Sequence, residues 1–337
     1  MSFMKLDIHT HIMPDKMPNW MQKFGYGNFI HLEHRNCKAC MMKGDQLFRV
    51  VEDNCFNVDL RLQEMLDTNV SVQVLSTIPV LFNYWAKGKD GLETSRFLNN
   101  HIAESVQKHP KNFIGLGTVP LQDSELAIQE MERCINELKL PGLEIGSNIN
   151  GKNLSDEIFF PFYAAAEKLG CALFVHPWEM MGEDQMQKYW LPWLVGMPAE
   201  TSRAICSMIF GGVFEKFPKL RVAFAHGGGS FPFTIGRIEH GFNVRPDLVA
   251  IDNKINPRNY LHKFWLDSLV HDENALQFLI NLLGEDQICL GSDYPFPLGE
   301  HHPGKLIEDS KMKSGVKEKL LNKNALNWLQ INATVFS

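Results

Sequence analysis

Short apolar runs alternate with longer stretches of helical periodicity along nearly the whole chain. The runs end in a polar residue and a turn marked by Pro or Gly, which is typical of buried strands. Predicted strands lie at Lys5–His9, Val70–Ser76, Asn112–Thr118, Gly142–Ser147, Ala172–His176, Arg221–His226, Phe264–Ser268 and Gln287–Ser292. Predicted helices lie at Val58–Asp67, Thr94–Lys108, Ser124–Leu138, Ser155–Leu169, Ala199–Phe217, Phe231–Phe242, Glu273–Leu283 and Ser314–Trp328.

Four of the predicted strands end at a residue that can bind a metal ion. His9 and His11 lie two residues apart on the first strand, so both side chains point to the same face. His176, His226 and Asp293 follow the fifth, sixth and eighth strands. Each of them alone could be a core or capping residue, but the same pattern recurs at successive strand ends. Imidazoles with a carboxylate suit a borderline divalent cation such as zinc.

The order of elements predicts the fold class. Strand and helix alternate through the chain, which favours a TIM-like (β/α) barrel with a parallel sheet. A doubly wound open sheet is the competing architecture. The barrel is favoured because the ends of strands one, five, six and eight converge on one mouth only if the sheet closes. We therefore predict a single barrel domain over residues 1–337.

Residues 12–57 interrupt this alternation, because they are longer than an ordinary βα connection. They contain several aromatic residues and short alternating runs around Phe29–Leu32 and Gln46–Val51. We expect a small antiparallel β insertion that forms a flap over the barrel mouth. Such a flap can exclude water and contribute substrate contacts.

The flap also contains His31, His34, Cys37 and Cys40 at three-residue intervals. A Cys-x-x-Cys pair can indicate structural zinc, but this spacing is too compressed for a usual zinc finger. No thioredoxin-like βαβ unit follows the pair, so a redox couple is not favoured either. We predict a surface hairpin turn with free thiols.

Composition narrows the possible partners and compartment. Hydrophobic residues make up 45% of the chain and charged residues 21%, which permits a large core. The formal net charge of -6 disfavours nucleic acid as a partner. No apolar run approaches the roughly twenty residues that span a bilayer, so no membrane is expected. Seven scattered cysteines suit a reducing compartment, and we expect the cytosol.

Several runs resemble one known family: DIHTHIMP, HPWEMMG, KYWLPWLVGMPAE, HGGGSFPF and GSDYPFPLGE. They resemble the amidohydrolase superfamily and, within it, the metal-dependent decarboxylases that act on aminocarboxymuconate semialdehyde in tryptophan breakdown. The resemblance implies non-oxidative loss of CO2 from 2-amino-3-carboxymuconate 6-semialdehyde, giving 2-aminomuconate 6-semialdehyde. It implies one Zn²⁺ per chain and no organic cofactor.

The resemblance also assigns roles around the expected metal. His9, His11, His176 and Asp293 would hold the zinc, and Asp293 would also take part in catalysis. His226 would be the acid–base histidine rather than a tight ligand.

Further roles concern a dicarboxylate substrate, whose two anions need two fixed cations. Arg49 would bind one carboxylate, and Arg237 would reach the other from the neighbouring subunit of a homodimer. The remaining residues with a predicted substrate role are Trp193, Phe296, Met180 and Lys43.

Three alternatives stay open at this stage. A sister decarboxylase could act on an aromatic or hydroxymuconate acid, although Arg49 on a long flap favours the open-chain dicarboxylate. A metal-dependent amidohydrolase or lactonase often carries a carboxylated lysine on strand four. The corresponding run here, GLEIGSN, has none, which argues for one metal. A non-catalytic binding protein is disfavoured because no type of ligand is missing.

Overall fold

Eight parallel strands form the centre of the computed structural model, which describes residues 3–27, 29–35 and 38–336. The strands are β1 Leu6–Ile12, β2 Val72–Thr77, β3 Phe113–Gly117, β4 Gly142–Gly146, β5 Ala172–His176, β6 Arg221–Phe224, β7 Trp265–Asp267 and β8 Ile288–Cys289. Each strand pairs in parallel with the next one along the chain. Parallel strands in chain order, each followed by a helical crossover, are the repeating unit of a β/α barrel.

The sheet closes where the first strand meets the segment after the eighth. The Ile8 N–H donates to the Leu290 carbonyl at 2.9 Å, and the His11 N–H donates to the Tyr294 carbonyl at 2.8 Å. Thr10 and Tyr294 also form a parallel bridge. These bonds leave no open edge between β1 and β8, so the predicted closed barrel is confirmed and the open sheet is wrong.

The outer layer consists of helices that cover the barrel. The longer ones are α1 Val58–Asp67, α2 Gly88–Lys108, α3 Ser124–Asn136, α4 Phe160–Leu169, α5 Met197–Phe210, α6 Phe231–Val244 and α7 Glu273–Leu283. Shorter ones occupy Trp20–Phe24, Val213–Lys216, Pro246–Val249, Lys305–Asp309, Ser314–Glu318 and Asn324–Leu329. No helix in the described part of the chain is long and apolar enough to cross a membrane.

The end of the chain closes the bottom of the barrel. The predicted helix Ser314–Trp328 is interrupted by a π-helical turn at Lys319–Lys323. The helix Asn324–Leu329 follows this turn, and its Trp328 is fully buried among the side chains inside the barrel. The Trp328 ring packs against Phe174 at 6.1 Å between centroids. The bottom of the barrel is therefore apolar, and a polar site can lie only at the other end.

The insertion after β1 is an antiparallel three-stranded sheet, as predicted. Its strands are Ile30–Arg35, Lys38–Lys43 and Gln46–Val51, and Arg49 lies opposite Met41 in the register. Its inner face is apolar: Met41 is fully buried and packs with the side chains that follow β2.

The His and Cys residues of this insertion do not form a metal cluster within the described residues. His34 Nε2 lies 2.7 Å from Asp15 Oδ1, and His31 Nε2 lies 3.0 Å from Glu33 Oε1. Cys40 is buried, and Cys37 falls outside the residues that the structure describes.

Candidate active site

Five side chains from strand ends converge at the mouth of the barrel. The ring centroids of His9, His11 and His176 lie 5.0 to 5.1 Å apart, and the His226 ring is 5.1 Å from those of His9 and His176. Potential ligand atoms of His9, His176, His226 and Asp293 all lie within 4.8 Å of one another. The structure thus brings the predicted ligands together and places His226 in the same group.

Three imidazoles are held so that Nε2 faces the centre of this group. His11 Nδ1 lies 2.9 Å from the Thr77 carbonyl, and His176 Nδ1 lies 3.0 Å from the Pro177 carbonyl. A carbonyl only accepts, so each Nδ1 carries the proton and each Nε2 keeps a free lone pair. The buried Nε2 atoms of His9, His11 and His176 have no hydrogen-bond partner among the described residues.

The orientation of these acceptors fits a cation. His11 Nε2 lies 3.1 Å from Asp293 Oδ1, and His9 Nε2 lies 3.5 Å from the same oxygen. Lone pairs that face one another at these distances repel unless a positive charge lies among them. Nitrogen and carboxylate oxygen are ligands that a divalent transition metal accepts, so the donor set fits the metal that the sequence predicted.

Burial favours the neutral form of His9 and His176, which is the form that binds metals. Desolvation lowers the pKa of His176 well below its ordinary value, and the neighbouring His11 and His226 lower it further. Desolvation likewise lowers the pKa of His9. Neutral imidazoles at physiological pH need no proton release before they can coordinate.

Asp267, at the end of β7, organises the site and was missed by the sequence analysis. Its Oδ2 accepts from His9 Nδ1 at 2.7 Å and from the His226 backbone N–H at 2.9 Å. Its Oδ1 accepts from the Gly227 N–H at 2.7 Å. Asp267 thus fixes one predicted ligand and the predicted acid–base histidine at once, as a carboxylate behind a ligating imidazole does. The signal was present, since WLDS also places a polar residue at a strand end.

Close packing around Asp267 depends on a glycine. A Cβ on Gly291 would lie 2.6 Å from Asp267 Cβ and 3.0 Å from His9 Cβ. Only the absence of a side chain lets the segment before Asp293 pass this close.

Glu144, on β4, is a second buried acid that the sequence analysis did not name. Its Oε1 lies 3.7 Å from His11 Nδ1, and its side chain is fully buried. Burial raises the pKa of Glu144 well above its ordinary value, which favours the neutral acid over the carboxylate. β4 therefore presents a carboxyl group, and no lysine, beside the candidate metal centre.

A cavity lies over the candidate metal centre, lined by His11, His176 and Asp293 on the side of the barrel. Arg49 reaches into it from the insertion, with its guanidinium carbon 5.1 Å from the Phe296 ring centroid and 5.5 Å from that of Trp193. Desolvation lowers the pKa of Arg49, which still remains a cation. Among the described residues no carboxylate forms an ion pair with it, so it is available to an anionic ligand.

The other predicted substrate residues lie farther out. Met180 and Lys43 line an adjoining cavity that shares Trp193 with the first. Arg237 lies on the exposed face of α6 and does not line either cavity of its own chain. The roles of all these residues remain predictions.

A sequence model of the amidohydrolase family matches residues 6–331. The chain belongs to the amidohydrolase family. It is 59% identical to a 2-amino-3-carboxymuconate-6-semialdehyde decarboxylase of Dictyostelium discoideum, over 98% of this chain and 92% of the relative. It is 40% identical to the protein of that name from Caenorhabditis elegans, over 97% and 94% of the two chains. The chain is thus an enzyme of the carboxy-lyase class.

Solved structures of decarboxylases share this fold. The dihydroxybenzoic acid decarboxylase of Polaromonas sp. JS666, solved with bound manganese and 2-nitroresorcinol, superposes with a TM-score of 0.76. It is 21% identical and covers 98% of this chain and 97% of its own. The fold of the amidohydrolase family therefore extends over the whole barrel of this chain.

Proposed function

We propose that this enzyme removes CO2 from 2-amino-3-carboxymuconate 6-semialdehyde and releases 2-aminomuconate 6-semialdehyde, a step of the kynurenine branch of tryptophan breakdown. The observation that carries the proposal is the pairing of an uncompensated Arg49 with a buried imidazole–carboxylate group across one cavity. A carboxylate held by Arg49 would bring an attached carbon chain over the cluster. The two relatives named for this reaction support the same substrate.

We further propose that the cation is one zinc ion, held by His9, His11, His176 and Asp293. When bound, such a cation supplies Lewis acidity and lowers the pKa of water toward neutrality. The Nδ1 hydrogen bonds fix the orientation of the ligating imidazoles before any cation arrives. Manganese, present in the Polaromonas enzyme, is the main competitor for the site.

The protein groups have separate tasks in this reaction. Arg49 binds a carboxylate by its planar fork and orients the substrate. The aromatic walls formed by Trp193 and Phe296 exclude water, which strengthens that interaction. His226, whose Nε2 lies 3.8 Å from Asp293 Oδ2, transfers the proton that the reacting carbon needs. No organic cofactor is required by this division of tasks.

We propose a homodimer, in which Arg237 of one subunit binds the second carboxylate of the substrate in the neighbouring active site. Arg237 is exposed on α6, and the described part of the chain gives it no ion-pair partner, so a second subunit could place it at a neighbouring active site. In a C2 dimer each subunit would then complete the site of the other.

Mixing two inactive variants tests this arrangement. Arg237→Ala and Asp293→Ala should each lack activity, whereas a refolded mixture should recover about a quarter of it, because half the dimers contain one intact site. A mixture as inactive as its components would contradict the exchange of Arg237. Analytical ultracentrifugation provides the control for dimer formation.

The proposed compartment is the cytosol. Five of the described cysteines, Cys55, Cys134, Cys171, Cys206 and Cys289, are free thiols, and four of these are buried. Reduced thiols are typical of cytosolic chains. Fractionation of cells that express the full chain tests this assignment.

An absorbance assay with freshly generated aminocarboxymuconate semialdehyde tests the reaction itself. Metal-stripped enzyme should leave the near-ultraviolet band of the substrate intact, and stoichiometric zinc should restore its decay. Elemental analysis of the unstripped enzyme should find one zinc per chain. If γ-resorcylate is decarboxylated and the semialdehyde is not, the substrate assignment is wrong. If manganese restores the decay and zinc does not, the assignment of zinc is wrong and the metal is manganese.

A further inference from the structure

A second cleft reaches the candidate metal centre from outside the substrate cavity. It is lined by Trp193, Met197 and Leu298, which also line the substrate cavity, so the two spaces adjoin along these side chains. Asp293 lines both spaces, so they meet at the metal-binding group.

The two spaces differ in the groups that they present. Arg49, His11 and His176 line the substrate cavity and not the second cleft. His226 lines the second cleft and not the substrate cavity. The group expected to handle protons therefore faces a different space from the group expected to hold the organic substrate.

The second cleft is mostly apolar and open at its outer end. Leu269, Val270 and Ala275 contribute to its wall, and the exposed His271 stands at its rim. The His226 side chain is 16% exposed, whereas those of His9 and His11 are fully buried. Solvent thus has a path to His226 that does not pass Arg49.

The stoichiometry of the reaction requires such an exchange. In R–COO⁻ + H⁺ → R–H + CO2, the bond to the carboxylate carbon breaks, its electron pair stays on the remaining carbon, and that carbon takes a proton. No electron is gained or lost overall. Each turnover must therefore admit one proton and release one small neutral molecule. The organic product is still held beneath Arg49 and would obstruct the main cavity.

We propose that the second cleft is the route for these small species: water-borne protons enter and CO2 leaves through it while the substrate cavity stays occupied. An apolar wall suits CO2, which is weakly hydrated, and excludes the dianionic substrate, because the cleft offers it no lysine or arginine. The inference rests on the proposed decarboxylation, and it assigns a function to a space that substrate binding does not use.

A chemical block at the edge of the cleft tests the route in folded enzyme. Ala275 lies in the first turn of α7, and its side chain lines the cleft. Ala275→Cys should first show normal turnover, which verifies both folding and the decarboxylase activity. Methanethiosulfonate reagents of increasing size are then attached. Gln277→Cys is the matched control, because Gln277 is exposed on the same helix and does not line the cleft.

Blocking should lower kcat and leave substrate binding unchanged. The largest label on Ala275→Cys should lower kcat by about five-fold or more with less than about a two-fold change in KM, since slowed exit limits turnover and not association. A reducing agent should restore kcat, and labelled wild type and Gln277→Cys should retain it.

Either of two results would overturn the route. Complete labelling without loss of kcat would mean that the cleft carries nothing needed for turnover. A change in KM larger than the change in kcat would mean that the cleft holds the organic substrate. If unlabelled Ala275→Cys and wild type both fail to decarboxylate the semialdehyde, the result contradicts the proposed function and not the proposed route.

Discussion

The metal-binding group and the wall that carries Arg49 are built in opposite ways. His9, His11 and His176 belong to barrel strands, are buried, and are fixed by hydrogen bonds at Nδ1. Arg49 belongs to an inserted sheet, and its guanidinium lies against the rings of Trp193 and Phe296. The first arrangement is rigid and suits chemistry that must not vary. The position of Arg49 can change when the inserted sheet changes, without disturbing the barrel. This arrangement suits a residue that determines substrate specificity.

Removal of a strand-borne ligand should have the largest effect. His176→Ala should abolish both metal binding and turnover, because the cluster then loses one of its buried nitrogen donors. The far-ultraviolet circular dichroism spectrum should stay that of wild type. Metal per chain by mass spectrometry checks this result, and a fully loaded variant would contradict the ligand assignment.

Loss of the Arg49 side chain should weaken substrate binding but not metal binding. Truncating one partner of a buried charge pair costs about 2–5 kcal/mol, so Arg49→Ala should lower kcat/KM by at least about 30-fold. Steady-state kinetics and metal analysis on the same samples separate the two effects.

Arg35→Ala is the control for this change, because Arg35 lies on the same inserted sheet but is exposed and paired with Glu33. It should behave as wild type. A loss of zinc in Arg49→Ala would show that the two regions are coupled and would break the comparison.

A change at Asp267 should have an intermediate effect on the rigid region. Asp267→Asn keeps the shape but weakens the support of His9, and changes of this kind typically cost about 10–100-fold in metal affinity or activity. Competition with a chelator measures the affinity. Unchanged affinity would mean that the ring of His9 is held by packing alone.

The smallest effect is expected at Lys43. This residue is exposed in the adjoining cavity, where water screens its charge. Exposed ion pairs contribute about 0.2–1 kcal/mol, so Lys43→Ala should raise KM by less than about five-fold and leave kcat unchanged. A larger rise would move Lys43 into the group of residues that hold the substrate directly.

The strand periodicity made the barrel and its ligands predictable. Two histidines spaced by two residues must share a face of a strand, and parallel strand ends must share a rim. Asp267 was harder to recognise, because its importance depends on contact with His9, a residue 258 positions away. The π-helical turn at Lys319–Lys323 was also missed. Local periodicity does not reveal that Trp328 fills the bottom of the barrel.

The substrate side was less predictable for a physical reason. The alternating runs of the insertion indicate strands, but they do not show which barrel face the sheet covers. Arg49 could equally have been a surface charge on the strand Gln46–Val51 until its position between Trp193 and Phe296 was known. A surface that pairs with a second copy is likewise set by contacts outside the chain, so the role of Arg237 on α6 stays a prediction.

Joining β1 to the segment after β8 has a consequence for protein synthesis. His9 leaves the ribosome well before Asp293, which lies 284 positions later in the chain. The bonds from Ile8 and His11 to Leu290 and Tyr294 form later still. A polypeptide that stops before Asp293 lacks one member of the predicted ligand set, so we expect such termination products to take up no cation.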